Sequence, residues 1–118
     1  MAFAYIVSKP FSDLADLIGN TPILKLKNTS KKTKSSIFAK LEFMNPSGSI
    51  KDRIVLRIIE SAEKRGILKK NSLIVEATSG NTGISLAMMA AIKSYRVVLF
   101  IQKGKSGEKI EMMKAFGA

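Results

Sequence analysis

The chain contains no cysteine, no histidine and no tryptophan in its 118 residues. Without cysteine no disulfide framework can form, so a reducing compartment is tolerated. Without cysteine and histidine only carboxylates remain as strong metal ligands. That excludes an ordinary zinc, haem or iron–sulfur centre, and no metal site is expected. Acidic residues are scarce as well, nine against twenty lysines and arginines, which leaves a net charge of +11. The excess is scattered apart from "KKTK" at Lys31–Lys34. Aromatics make up only 7% and do not interleave with the basic residues, so no stacking platform for nucleic acid is visible. A solvated basic surface that attracts anions is the simpler reading. Long hydrophobic runs are missing too: "MAFAYIVSKPF" has no basic segment before its apolar stretch and is too short for a signal core or a membrane span. A soluble protein of the cytoplasm is the default expectation.

What is present is a globular composition, 46% hydrophobic and 25% charged, long enough for one domain with a real core. "SDLADLIGNTP" predicts a short helix over Asp13–Ile18, stopped by Gly19 and Asn20. "ILKLK" and "IFAKLEF" predict two strands able to pair as a hairpin, with "NTSKKTKSS" as a polar loop between them. From Ile50 the apolar residues Ile54, Val55, Ile58, Ile59 and Ala62 recur at helical spacing until Gly66. "SLIVEA" predicts a strand, and "ISLAMMAAIKS" a helix apolar on most sides and therefore buried. "RVVLFI" predicts a strand covered on both faces, followed by a last helix in "SGEKIEMMKAFGA".

From residue 37 the order is strand, helix, strand, helix, strand, helix, which argues for an α/β fold with a parallel sheet and flanking helices. Three parallel strands without further cover would leave edges and apolar faces exposed. The chain is therefore expected to be the front part of a longer polypeptide.

Two stretches carry candidate chemistry. "TSGNTG", Thr78–Gly83, lies between a strand and a helix, where ligands of open α/β sheets bind and where helix N–H groups favour anions. Gly80 lets backbone approach a ligand, and Thr78, Ser79, Asn81 and Thr82 add short hydrogen-bonding side chains. The same residues would equally make a plain helix cap. "NPSGSIKDR", Asn45–Arg53, puts Lys51 at a helix start, where a lysine does nothing for the dipole. A desolvated amine there is nucleophilic and condenses with aldehydes such as pyridoxal phosphate. The alternative is a surface pair of Lys51 with Asp52 or Glu42. "GKS" at Gly104–Ser106 is no P-loop, because Leu99 stands where the first glycine belongs. Ser106 is expected to cap the last helix.

Occurring together and in this order, the two stretches are highly specific. The chain resembles the cysteine synthase (O-acetylserine sulfhydrylase) family of fold-type II pyridoxal-phosphate enzymes. The likeness runs through "IGNTP", "FAKLEFMNPSGSIKDR", "AEKRG", "EATSGNTGISLAMMAA" and "MKAFGA", and it looks most like the B-type isozyme. The resemblance implies that Lys51 bonds the cofactor and later takes the substrate α-proton, and that Asn81 hydrogen-bonds the 3′-oxygen of the ring. It implies that the loop Thr78, Ser79, Gly80, Asn81 and Thr82 grips the substrate α-carboxylate, while Asp52 and Arg53 pair structurally. The implied reaction replaces the acetate of O-acetylserine by sulfide to give cysteine. Cystathionine β-synthase-like activity, or a non-catalytic fragment or interaction module of the same fold, are the alternatives.

By family analogy the chain would form a homo-oligomer, a dimer, and meet a serine acetyltransferase C-terminus. Residues 1–36 would pack on a larger second domain that this chain lacks, and 37–118 would form the small α/β domain. Two departures stand out. The family's Met-Pro and Ser-x-Glu-Arg-Arg pattern reads here as Ile101-Gln102 and "SGEKI", so Lys109 replaces an arginine. The family's glycine-rich phosphate loop lies beyond Ala118.

Overall fold

The computed structural model describes residues 11–118. The apolar opening "MAFAYIVSKP" lies outside the described residues. Two short strands, β1 (Ile23–Lys25) and β2 (Phe38–Lys40), flank helix α1 (Lys27–Thr33). Helix α2 (Lys51–Lys64), strand β3 (Leu73–Thr78), helix α3 (Asn81–Lys93), strand β4 (Arg96–Ile101) and helix α4 (Gly107–Ala115) follow. β3 and β4 pair in parallel from Leu73↔Arg96 to Thr78↔Ile101, with α3 as their crossover.

Helix α3 is the centre. Every residue from Gly83 to Ala90 is buried, as the apolar composition of that stretch predicts. Val55 and Ile59 of α2 meet Leu86, Met88 and Met89 on one side, with Ile74 and Leu99 packed against them. Ile84 and Ala87 meet Met113 of α4 on another, with Leu99 and Ile101 alongside. Fully burying each such aliphatic side chain contributes about 1.5–3 kcal/mol, so this helix dominates the stability of the unit.

Four expectations are corrected. "NTSKKTKSS" is not a loop throughout: α1 occupies Lys27–Thr33 and ends on Lys34 in the left-handed region, φ 54°. No apolar stripe announces it. Polar side chains bond its backbone instead, Thr33 Oγ1 donating to the Thr29 carbonyl at 3.0 Å while Ser30 Oγ accepts from Ile37 N at 2.9 Å.

The strand at Phe38–Lys40 does not join the parallel sheet. It pairs antiparallel with β1, from Ile23↔Lys40 to Lys25↔Phe38, so the hairpin forms and the parallel sheet has two strands among the described residues. β4 is covered on one face only among the described residues: Val97, Leu99 and Ile101 turn toward α3, whereas Val98 and Phe100, with Val75 opposite Val98 on β3, are exposed. Lastly, the turn before "IGNTP" is a single 3-10 turn, Leu14–Leu17, capped by the Asp13 carboxylate accepting from Ala15 N at 2.8 Å.

The α2 stripe also splits. Val55 and Ile59 enter the core, while Ile50, Ile54 and Ile58 stand exposed on the other side of the helix.

Candidate active site

A polar network fixes the chain ahead of α2. Arg53 clamps Glu42 bidentately, Nε to Oε2 at 2.8 Å and Nη2 to Oε1 at 3.0 Å. Thr21 Oγ1 donates to Glu42 Oε1 at 2.8 Å, and Asn45 Nδ2 donates to Glu42 Oε2 at 3.0 Å. Asn45 Oδ1 accepts from Gly19 N at 2.9 Å, tying "IGNTP" to "LEFMNPSGSIKDR". The hydrogen bond from Arg53, then that from Thr21, holds the Glu42 carboxyl down at about 2, against the opposing effect of burial. Arg53 is raised above its ordinary value by the same pairing. Arg53 is thus structural, as expected, but its partner is Glu42 and not Asp52.

Asp52 has a different task. It follows Lys51 in the first turn of α2 and is completely buried. Its Oδ2 accepts from Ser47 N at 2.8 Å, and its Oδ1 accepts from the hydroxyls of Ser47 and Ser85. The two hydroxyl oxygens lie 3.1 Å apart, and Ser85 Oγ also lies 3.1 Å from the Asn81 carbonyl oxygen. A buried carboxylate is tolerable only when hydrogen-bonded in this way. One side chain therefore joins the loop before Lys51 to the second turn of α3, across 33 residues of sequence. Nothing in the local pattern signals it, because Ser47 looks like a turn former and Ser85 like an incidental polar residue in an apolar helix until the helices pack.

With Asp52 and Glu42 engaged elsewhere, the expected surface pair of Lys51 with either does not form. Lys51 opens α2, its backbone N donating to Ser49 Oγ at 3.2 Å. Its side chain is partly exposed, not sealed from water as a helix start among isoleucines would suggest. No hydrogen bond or ion pair among the described residues uses its amine.

The "TSGNTG" residues divide in two. Thr78 and Gly80 build the turn: Thr78 Oγ1 accepts from Gly80 N at 3.1 Å and Gly83 N at 3.2 Å, and Gly80 is buried with φ 153°. Ser79 and Asn81 are exposed and Thr82 is partly so. As the first two residues of α3, Asn81 and Thr82 have N–H groups with no acceptor inside the helix, and no bond outside it among the described residues uses them. Gly83 allows the close approach of three elements, since a Cβ there would sit 2.6 Å from Thr78 Cγ2 and 2.8 Å from Met113 Cε. Asn81 Oδ1 accepts from Lys109 Nζ at 2.8 Å, a partner the sequence did not announce. Ser106 stands at the N-cap of α4 as expected, yet its side chain makes no capping bond.

The assembly offers one uncommitted primary amine, a positively polarised helix start with free N–H donors, and a side-chain amide at its rim. These groups fit pyridoxal phosphate: an amine for its aldehyde and donors for its anionic oxygens. No set of three or more metal-binding side chains occurs among the described residues, and no helix there is long and apolar enough to cross a membrane.

Comparison with known proteins agrees with this chemistry. Residues 14–118 match the family model described as pyridoxal-phosphate dependent enzyme. A probable cysteine synthase of Bacillus subtilis is 46% identical over 110 residues, which covers 93% of this chain and 35% of that protein. The crystal structure of an O-ureido-L-serine synthase superposes with a TM-score of 0.87 at 41% identity, covering 93% of this chain and 34% of that one. A hydrogen sulfide-producing enzyme from Fusobacterium nucleatum gives a TM-score of 0.86 at 46% identity, over 92% and 36% of the respective chains. The chain spans about a third of the length of these relatives. The match over residues 14–118, nearly the whole of the described chain, places this protein in the family of pyridoxal-phosphate dependent enzymes.

Proposed function

We propose that the chain carries the lysine and asparagine-loop half of a cysteine synthase-type site, which exchanges the acetate of O-acetylserine for sulfide to yield cysteine. The observation that carries this reading is the Asp52–Ser47–Ser85 clamp, which sets the loop of Lys51 against the turn of Asn81. When bound, pyridoxal phosphate supplies an aldehyde and a ring that stabilises negative charge at the substrate α-carbon. Lys51 would hold the cofactor through its amine, and the same amine would carry the substrate α-proton. Asn81 donates to the ring oxygen. The N–H groups of Asn81 and Thr82, with the Ser79 and Thr82 hydroxyls, orient the substrate carboxylate, while Thr78 and Gly80 hold the turn in shape.

A second reading draws on the open sheet face. Phe100 is 62% and Val75 56% exposed, and Ile58 on α2 is 60% exposed. Monomeric proteins rarely leave such a set uncovered, so in this reading the 118 residues act as one part of a larger body, in which residues 1–36 meet a second domain and the assembly forms a dimer.

A titration with pyridoxal phosphate tests the first reading. Wild type is expected to develop a visible absorbance band that Lys51→Ala abolishes and that O-acetylserine bleaches. Asn81→Ala is expected to weaken the band with helicity unchanged. Equal bands from wild type and Lys51→Ala would mean that surface lysines alone react, and the catalytic reading would fall.

A further inference from the structure

The side chain of Lys109 lies across the asparagine turn. Its stem crosses Gly80, where a Cβ would sit 2.6 Å from Lys109 Cδ and 3.2 Å from Nζ. Its ammonium ends 2.8 Å from Asn81 Oδ1. The register comes from α4: Met113, one turn further on, is buried against Ile84 and Ala87 of α3, so Lys109 on the same helix face falls over the start of α3.

This contact chooses one of two amide orientations. A lysine ammonium has three donors and no acceptor, so only the oxygen of Asn81 can face it. The Nδ2 group is then turned away from Lys109, with both of its N–H bonds available. The cation also draws electron density from the amide, which strengthens those N–H donors. An asparagine exposed at a helix start would otherwise rotate between presenting its oxygen and presenting its nitrogen, and only the nitrogen can serve an anionic oxygen.

We propose that Lys109 is a positioning residue that holds the Asn81 amide with its nitrogen toward the ring oxygen of pyridoxal phosphate. The inference rests on the cofactor reading given above. It also supplies a role for the lysine standing where the resembled family has arginine, since a guanidinium is likewise donor-only.

The test uses the whole chain, with Asn81 side-chain amide signals assigned by nuclear magnetic resonance through their loss in Asn81→Ala. Lys109→Met keeps the stem over Gly80 and removes the donor. Without cofactor it is expected to shift the Asn81 amide signals and speed their exchange with water, while Lys109→Arg keeps them near wild type. With pyridoxal phosphate, Lys109→Met is expected to weaken the Lys51-dependent band by about threefold to tenfold, the effect of one hydrogen bond, and Lys109→Arg to restore it. Unchanged amide signals in Lys109→Met would overturn the inference, as would a Lys51-dependent band of wild-type affinity in that variant or a Lys109→Arg as weak as Lys109→Met. A wild-type band that survives Lys51→Ala is a separate result: it overturns the cofactor reading itself, and the role of Lys109 with it.

Discussion

The loop that presents Lys51 and the turn that presents Asn81 sit side by side, yet they are held by opposite means. Around Lys51, order comes from hydrogen-bonded carboxyl groups: the fully buried Asp52 takes three hydrogen bonds, and the partly buried Glu42 takes four, from Arg53, Thr21 and Asn45. At Asn81, order comes from close backbone approach, with Thr78 bonding two N–H groups and Gly83 leaving room for neighbours. The lysine loop is thus tied to distant segments through side chains, whereas the asparagine turn is held by its own backbone and by the close fit of its neighbours.

The most severe test of this contrast is Asp52→Ala. It strands the Ser47 N–H in a dry interior and leaves the Ser47 and Ser85 hydroxyls only each other and the Asn81 carbonyl, so about 3 kcal/mol of stability should be lost, read as a large fall in the urea midpoint. Since small domains have only about 5–15 kcal/mol in total, little folded protein should remain at raised temperature. A change below about 1 kcal/mol would show that the clamp is not what joins the two loops.

On the asparagine side, Gly83→Ala presses a methyl group against the branched Thr78, which cannot swing aside as the end of Met113 can. A loss of about 1–3 kcal/mol is expected by thermal melting, as for overpacked cores. Thr78→Val keeps the shape but removes the acceptor for Gly80 and Gly83, and about 1 kcal/mol should go.

Acid sharpens the comparison from the other side. The Glu42 carboxyl is held at about 2 in the fold, below its ordinary value of 4.5. Its contribution is therefore complete above 4.5 and disappears as pH falls toward 2. Wild type should lose stability across that window, and Glu42→Gln should show a flatter profile there in urea melts. Some slope should persist in the variant, because Lys93 and then Tyr95 lower Glu63 in the same direction. An identical slope in both proteins would remove Glu42 from the account of the lysine loop.

Much of this was legible in the residues. The helix "ISLAMMAAIK" could only be buried, and "TSGNTG" between a strand and that helix could only be a turn at the edge of a sheet. Asn81 stood out because it sits among small turn residues that open a helix, and Lys51 because a lysine at a helix start does nothing for the dipole. The role of Asp52 was not legible. A carboxylate beside a lysine reads as its surface partner, and only packing shows that its real partners are Ser47, five residues back, and Ser85, thirty-three residues on. Lys109 was hidden for a similar reason, its contact with Asn81 spanning 28 residues. The short helix α1 escaped because its polar side chains bond its own backbone and that of Ile37 just beyond it, and leave no periodic stripe.

The residues alone determined which segments coil, which extend and which amine and amide are chemically unusual, because those properties depend on near neighbours and on periodicity. The packing of α2 and α4 against α3 decided which polar groups lose water and must find one another. That choice sent Asp52 inward, left Lys51 without an ion pair among the described residues and laid Lys109 over the asparagine turn, since a polar group is satisfied by whatever the tertiary structure brings within hydrogen-bonding distance.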